Sequence, residues 1–215
     1  MVRFRLFGIP VEIQPWFWIT LALLGGALSA STPELLLDLL LFMLAGTISI
    51  LVHELGHALT GKAFGAPTSI TLQAFGGYAS FPARSFTRVQ SFLVTAAGPA
   101  IQILLGIGAL MLLRSETLPT PAAESFVRSL RNVSFAWAIL NLLPVIPLDG
   151  GQLVVAVLGP KRFTISLWIS LVVAVIAALG LLLLTQGRSI LFPIFMASFA
   201  FENWKLLQEI KRRGF

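Results

Sequence analysis

The chain has 215 residues, 57% of them hydrophobic and only 11% charged, with mean hydropathy +0.91. A soluble domain carries about 25% charged residues, so a water-facing globular surface of this size is excluded and the class is an integral membrane protein, mostly α-helical. The net charge of +6 would suit nucleic acid in a soluble protein, but Lys and Arg here sit at segment ends, as in membrane proteins, and the absence of cysteine removes disulfides, iron–sulfur clusters and thiolate zinc sites.

At about 20 residues per crossing the chain has room for six spans and no separate soluble domain. Residues 1–215 therefore read as one membrane-embedded domain. Residues 2–14 alternate partly, with Phe4, Leu6, Val11 and Ile13 apolar, while Gly8 and Pro10 oppose a helix. They read as an extended segment lying on the surface. The first span covers roughly 15–30. Arg3, Arg5 and the run ending Ala27-Leu28-Ser29-Ala30 have some features of a signal peptide. Aromatic Trp16, Phe17 and Trp18 favour an interfacial belt opening a retained span.

Thr32, Pro33 and Glu34 form a helix start, with a capping hydroxyl, proline at the first position and an acid in the first turn. The second span then runs roughly 34–62. Gly65, Pro67, Gly76, Gly77 and Pro82 punctuate residues 64–86, and Ile70, Leu72 and Ala74 alternate with Thr71 and Gln73. This reads as a β-hairpin or re-entrant extended loop. It is either a strand edge for an unwound substrate or a plain connection. The third span is roughly 89–113, with a kink expected at Gly98-Pro99. A polar loop covers 114–125. The fourth span, roughly 126–158, is interrupted between Asn141 and Gly151. The fifth and sixth are roughly 163–185 and 189–210. The expected fold is thus an all-α polytopic membrane protein of about six helices, with a small β-hairpin between spans two and three.

Six spans put both termini on one side. That side carries Arg3, Arg5, Lys62, Arg84, Arg88, Lys161, Arg162, Lys205, Lys211, Arg212 and Arg213. The other carries Arg114, Arg128, Arg131 and Arg188. Positive charge marks the cytoplasmic face, so both termini are expected in the cytoplasm.

The chemistry is concentrated in His53-Glu54-Leu55-Gly56-His57. These are the chain's two histidines, four apart on one expected helix, so both imidazoles lie on one face and reach one metal ion. Glu54 follows at about 100° round the helix, near enough to touch a water on that metal. This is the zinc-protease pattern. The alternative is two buried core histidines, but ionisable groups inside a membrane are costly and functional by default. Counted from Pro33 at ~1.5 Å per residue, His53 lies roughly 30 Å along the helix, in its cytoplasmic half.

Catalytic zinc usually takes three protein ligands and keeps one open position. With no third His and no Cys, the third is a carboxylate or a carbonyl oxygen. Besides Glu54, only Asp149 falls well within a helical interior beside backbone-breaking residues, here Pro144, Pro147, Gly150 and Gly151. Irregular backbone at membrane depth lines a protein or water cavity. Asp149 alone can equally be the cap of the helix that follows. A two-histidine site lacking a ligand favours ligation.

With these residues in view, the chain resembles the site-2 protease family of intramembrane zinc metalloproteases, in a short form without PDZ or CBS domain. His53 to His57 resembles its HExxH motif. Asn141 through Gly151 resembles its NxxPxxPLDGG motif, and Ala97-Gly98-Pro99 its third-span AGP signature. Phe7 to Val11 resembles its N-terminal segment. The similarity covers roughly residues 1–160. It implies one zinc ion on His53, His57 and Asp149, with Glu54 as general base. It implies that Asn141 holds the substrate or the developing oxyanion, although Asn141 can also serve only the broken helix's backbone. It implies a single-pass membrane-protein substrate already trimmed by another protease. The family's usual Asn three residues after the AGP proline is Gln102 here, a conservative swap within interhelical hydrogen bonding, and Gln102 and Thr95 read as helix-packing groups. Two rivals come from other classes. An inactive zinc-binding scaffold would be free to lose Glu54, which is intact. A transporter would need polar groups along a path across the bilayer, and here they cluster at one depth.

Overall fold

In a computed structural model the described residues are 1–74, 76–82, 85–115, 117–186 and 190–212. Arg84, Arg188 and Arg213, used in the sequence reading, lie outside them. Seven helices and four strands follow in the order β1 (Val2–Leu6), β2 (Ile9–Ile13), α1 (Pro15–Leu24), α2 (Pro33–Ala63), β3 (Ser69–Gln73), β4 (Gly76–Ser80), α3 (Arg88–Arg114), α4 (Pro121–Leu142), α5 (Asp149–Leu158), α6 (Phe163–Leu184) and α7 (Leu191–Arg212). They divide into two compact units, residues 1–86 with 96–139 and residues 87–95 with 140–215.

In the first unit the strands form one sheet in the order β1-β2-β3-β4. The β1–β2 hairpin turns on Phe7 and Gly8, both at positive φ, which is the backbone a two-residue hairpin turn demands. β2 then pairs in parallel with β3, Val11 opposite Ile70 and Ile13 opposite Leu72. α1 and α2 lie between these two strands in sequence, as a parallel connection requires. Alternation makes one sheet face apolar: Ile9, Val11, Ile13, Ile70 and Leu72 are buried against Phe17 and Leu21 of α1 and Ile50, Leu55 and Ala58 of α2. A second cluster joins α2, α3 and α4 through Ala45, Ala109, Val127 and Leu130. α2 starts as its sequence dictates, the Leu35 N–H donating to Thr32 Oγ1 at 3.3 Å.

In the second unit Thr87 and Gln90 form a reciprocal cap at the start of α3, each backbone N–H reaching the other's side-chain oxygen. Arg88 donates to the carbonyls of Ala156 and Val157 in the last turn of α5, where positive charge is favoured. α6 and α7 pack on the stretch between α4 and α5, with Val145, Ala174, Met196, Phe199 and Ala200 at the centre.

Three helices among the described residues are long and apolar enough to cross a membrane: Pro33–Ala63, Arg88–Arg114 and the segment Pro160–Leu184 containing α6. The expected first span is shorter than 15–30, because α1 ends at Leu24 and the chain turns at Gly25 and Gly26. The fourth span is two helices, and α4 starts at Pro121, inside the expected polar loop. α4 is diluted by Glu124, Arg128 and Arg131, and α7 by Glu202, Lys205, Glu209, Lys211 and Arg212, so neither meets the measure of a span. The expected β-hairpin is present, but as half of a four-stranded sheet that also takes in residues 2–13. α3 runs on through the buried Pro99. Leu36, Leu40 and Leu44 on α2 and Val172, Ile176, Leu179 and Leu183 on α6 remain exposed. Apolar surface of that kind suits hydrocarbon, and the chain is an integral membrane protein.

Candidate metal centre

His53, Glu54 and His57 lie in the buried C-terminal half of α2, at 3%, 4% and 8% exposure. The i, i+4 spacing puts the two imidazoles on one face, their Nε2 atoms 3.0 Å apart. Zinc binds imidazole nitrogen at about 2.0–2.1 Å, so two nitrogens this close fit round one ion.

The Nδ1 atom of His53 pairs with the side-chain oxygen of Gln102 on α3 at 2.9 Å. An amide oxygen only accepts, so Nδ1 carries the proton and Nε2 is the lone-pair nitrogen that a metal needs. The Gln102 amide N–H₂ donates to Ser49 Oγ at 3.0 Å, and Ser49 and Ser134 hydroxyls pair at 3.0 Å. Ser49, Gln102 and Ser134 are all fully buried. This relay from α2 through α3 to α4 fixes one ring orientation.

Small residues let α3 come this close. A Cβ on Gly98 would lie 2.2 Å from His57 Nε2, and one on Gly56 would lie 2.6 Å from the Ala97 carbonyl oxygen. The Ala-Gly-Pro signature is therefore a docking face for the histidine helix. The hairpin approaches the acid in the same way: a Cβ on Gly77 of β4 would lie 2.7 Å from Glu54 Cγ and 2.9 Å from its Oε1. β4 is also an edge strand of the sheet.

The structure thus brings His53, Glu54 and His57 together in the first unit. Asn141 and Asp149 lie in the second, at the last turn of α4 and the first residue of α5. Asp149 is 9% exposed and offers a carboxylate ligand atom, as each histidine offers a ring nitrogen. Gln102 makes the interhelical hydrogen bonds expected of it, but that one of its partners is His53 was not expected. The available signal was a long amide in an apolar helix one turn after Gly98.

Residues 41–120 match the sequence profile of Peptidase family M50. The matched M50 stretch takes in His53, Glu54, His57, Gly98 and Gln102 and ends before Asn141. A Synechocystis sp. protein provisionally named a zinc metalloprotease is 37% identical over 161 residues, 68% of this chain and 41% of that protein. A zinc metalloprotease of Methanocaldococcus jannaschii is 28% identical over 160 residues, 74% of this chain and 45% of that one. Stage IV sporulation protein FB of Bacillus subtilis is 32% identical over 147 residues, 67% of this chain and 46% of its own length. The chain spans less than half the length of each of these relatives. Among solved structures, the site-2 protease from Methanocaldococcus jannaschii shares the fold, with TM-score 0.63 at 22% identity over 96% of this chain and 94% of that one.

Proposed function

We propose that this chain is an intramembrane zinc metalloprotease that hydrolyses peptide bonds within or near transmembrane segments of membrane-protein substrates. The observation that carries the reading is a buried His-Glu-x-x-His turn on a membrane-length helix, its two Nε2 atoms 3.0 Å apart. Its M50 match and its zinc-metalloprotease relatives support it.

In this reading His53, His57 and Asp149 hold one zinc ion, and residues 1–215 act as one catalytic domain. The donor set of two imidazoles and one carboxylate suits catalytic zinc. When bound, the ion polarises a carbonyl and brings a water's pKa to about 7. Glu54 accepts the proton of the attacking water and returns it to the leaving amine. Asn141 donates a hydrogen bond to the oxyanion, a contribution of about 3 kcal/mol. The Gln102 relay holds His53 in the required tautomer, and apolar packing around α2 keeps bulk water out.

The resemblance to site-2 proteases suggests the substrate class: a segment that itself crosses the bilayer, in a single-pass protein already trimmed by another protease. The test is mass analysis of such a substrate after incubation with the purified, zinc-loaded chain in detergent or vesicles. The expected result is a cut inside the span, lost on chelation and regained with zinc. A panel left intact by zinc-loaded protein contradicts the proposal.

A further inference from the structure

Two buried polar side chains, one on α6 and one on α7, reach the backbone of the same residue. Ser170 of α6 is fully buried, and its hydroxyl accepts the backbone N–H of Ile146 at 2.6 Å. Asn203 of α7 is 1% exposed and donates its side-chain N–H₂ to the Ile146 carbonyl at 2.7 Å and to the Phe199 carbonyl at 2.7 Å. Both polar groups of Ile146 are therefore held from outside their own segment.

Ile146 sits in the stretch 143–148 between α4 and α5, three residues before Asp149. Pro144 and Pro147 contribute no N–H there, and peptide groups left unmet in an apolar interior are costly. The stretch keeps two short turn bonds of its own, Val145 N–H to the Leu143 carbonyl and Leu148 N–H to the Val145 carbonyl, each 2.7 Å. A Cβ on Gly151 would lie 2.5 Å from the Ile146 backbone nitrogen, so α5 starts hard against this backbone. A shift at Ile146 is therefore passed to the first turn of α5. Packing alone does not call for Asn203: its Oδ1 is buried without a partner among the described residues, a cost that a leucine would avoid.

We propose that Ser170 and Asn203 are positioning residues for Asp149. Together they clamp Ile146 and set where the α5 N-terminus presents its carboxylate to the metal. α6 and α7 thereby have a task in the metal centre although they supply no ligand. The inference rests on the reading of Asp149 as a zinc ligand.

The experiment is a zinc competition titration of the purified full chain against a chelator of known affinity. It compares wild type, Ser170→Ala, Asn203→Leu, both together, Ser170→Thr, Asp149→Ala, and the double clamp variant in the Asp149→Ala background. Outer partners of metal ligands typically contribute 10–100-fold in affinity. The double clamp variant is expected to lose about tenfold or more, with Ser170→Thr close to wild type and no further loss once Asp149 is removed. The visible spectrum of the cobalt-loaded double variant should shift towards that of Asp149→Ala. Should the double variant not fold, Ser170→Ala carries the same comparison with a smaller loss of the same sign. Wild-type affinity in the clamp variants beside a weakened Asp149→Ala overturns the positioning role alone. A clamp loss that persists in full without Asp149 also overturns it, because it then reports the fold. Unchanged affinity in Asp149→Ala overturns the ligand reading itself.

Discussion

At His53 a neutral amide stands where many metal-binding histidines have a carboxylate or a backbone carbonyl. Gln102 satisfies Nδ1 with its oxygen and is itself fixed by Ser49, so the ring has one orientation and one tautomer. Gln102→Leu keeps the volume and removes both bonds. Zinc affinity is expected to fall about 10–100-fold while helix content stays as in wild type, read by competition titration beside circular dichroism; unchanged affinity would remove Gln102 from the metal centre. The histidines and Glu54 were legible in the sequence because a helix converts the spacing i, i+4 directly into shared geometry. The partner of His53 was not, because it lies 49 residues away on another helix and depends on how α2 and α3 dock. That docking depends in turn on Gly56 and Gly98, whose missing side chains carry no chemical signal of their own.

Local propensity made several elements readable. The start of α2 followed from Thr32, Pro33 and Glu34, and the β3–β4 hairpin from alternation and glycine. The parallel pairing of β2 with β3 was hidden, since two helices separate the strands in the chain and neither strand names its partner. The bounds of the first and fourth spans differ from expectation for a physical reason too. Hydropathy along a sequence does not show where a helix stops, and α1 stops after ten residues. Six crossings remain our proposal for the chain in a bilayer, with α4 and α5 taken as one interrupted crossing and the charge bias placing both termini in the cytoplasm. Since the chain has no cysteine, single cysteines report topology directly. Cysteines at Arg5 and Lys161 should react with an impermeant reagent from one side, and one at Thr117 from the other. Arg5 and Lys161 labelled from opposite sides would contradict the six-crossing arrangement.

At the scale of the whole molecule, the chain spends its few polar groups sparingly. A sheet and a long helix in the first unit seat two histidines and a glutamate. In the second unit two buried hydrogen-bonding side chains hold the segment that leads to Asp149. Most of what remains exposed on α2 and α6 is apolar, as a lipid-facing surface must be. On this account Glu54 moves protons and does not hold the metal. The deciding measurement is cleavage of a tagged single-span substrate by wild type and Glu54→Gln, both zinc-loaded, with bound zinc counted in each. The account predicts one zinc per chain in both proteins, cutting by the wild type and none by the variant. A Glu54→Gln protein that holds zinc and still cuts at the wild-type rate would contradict it.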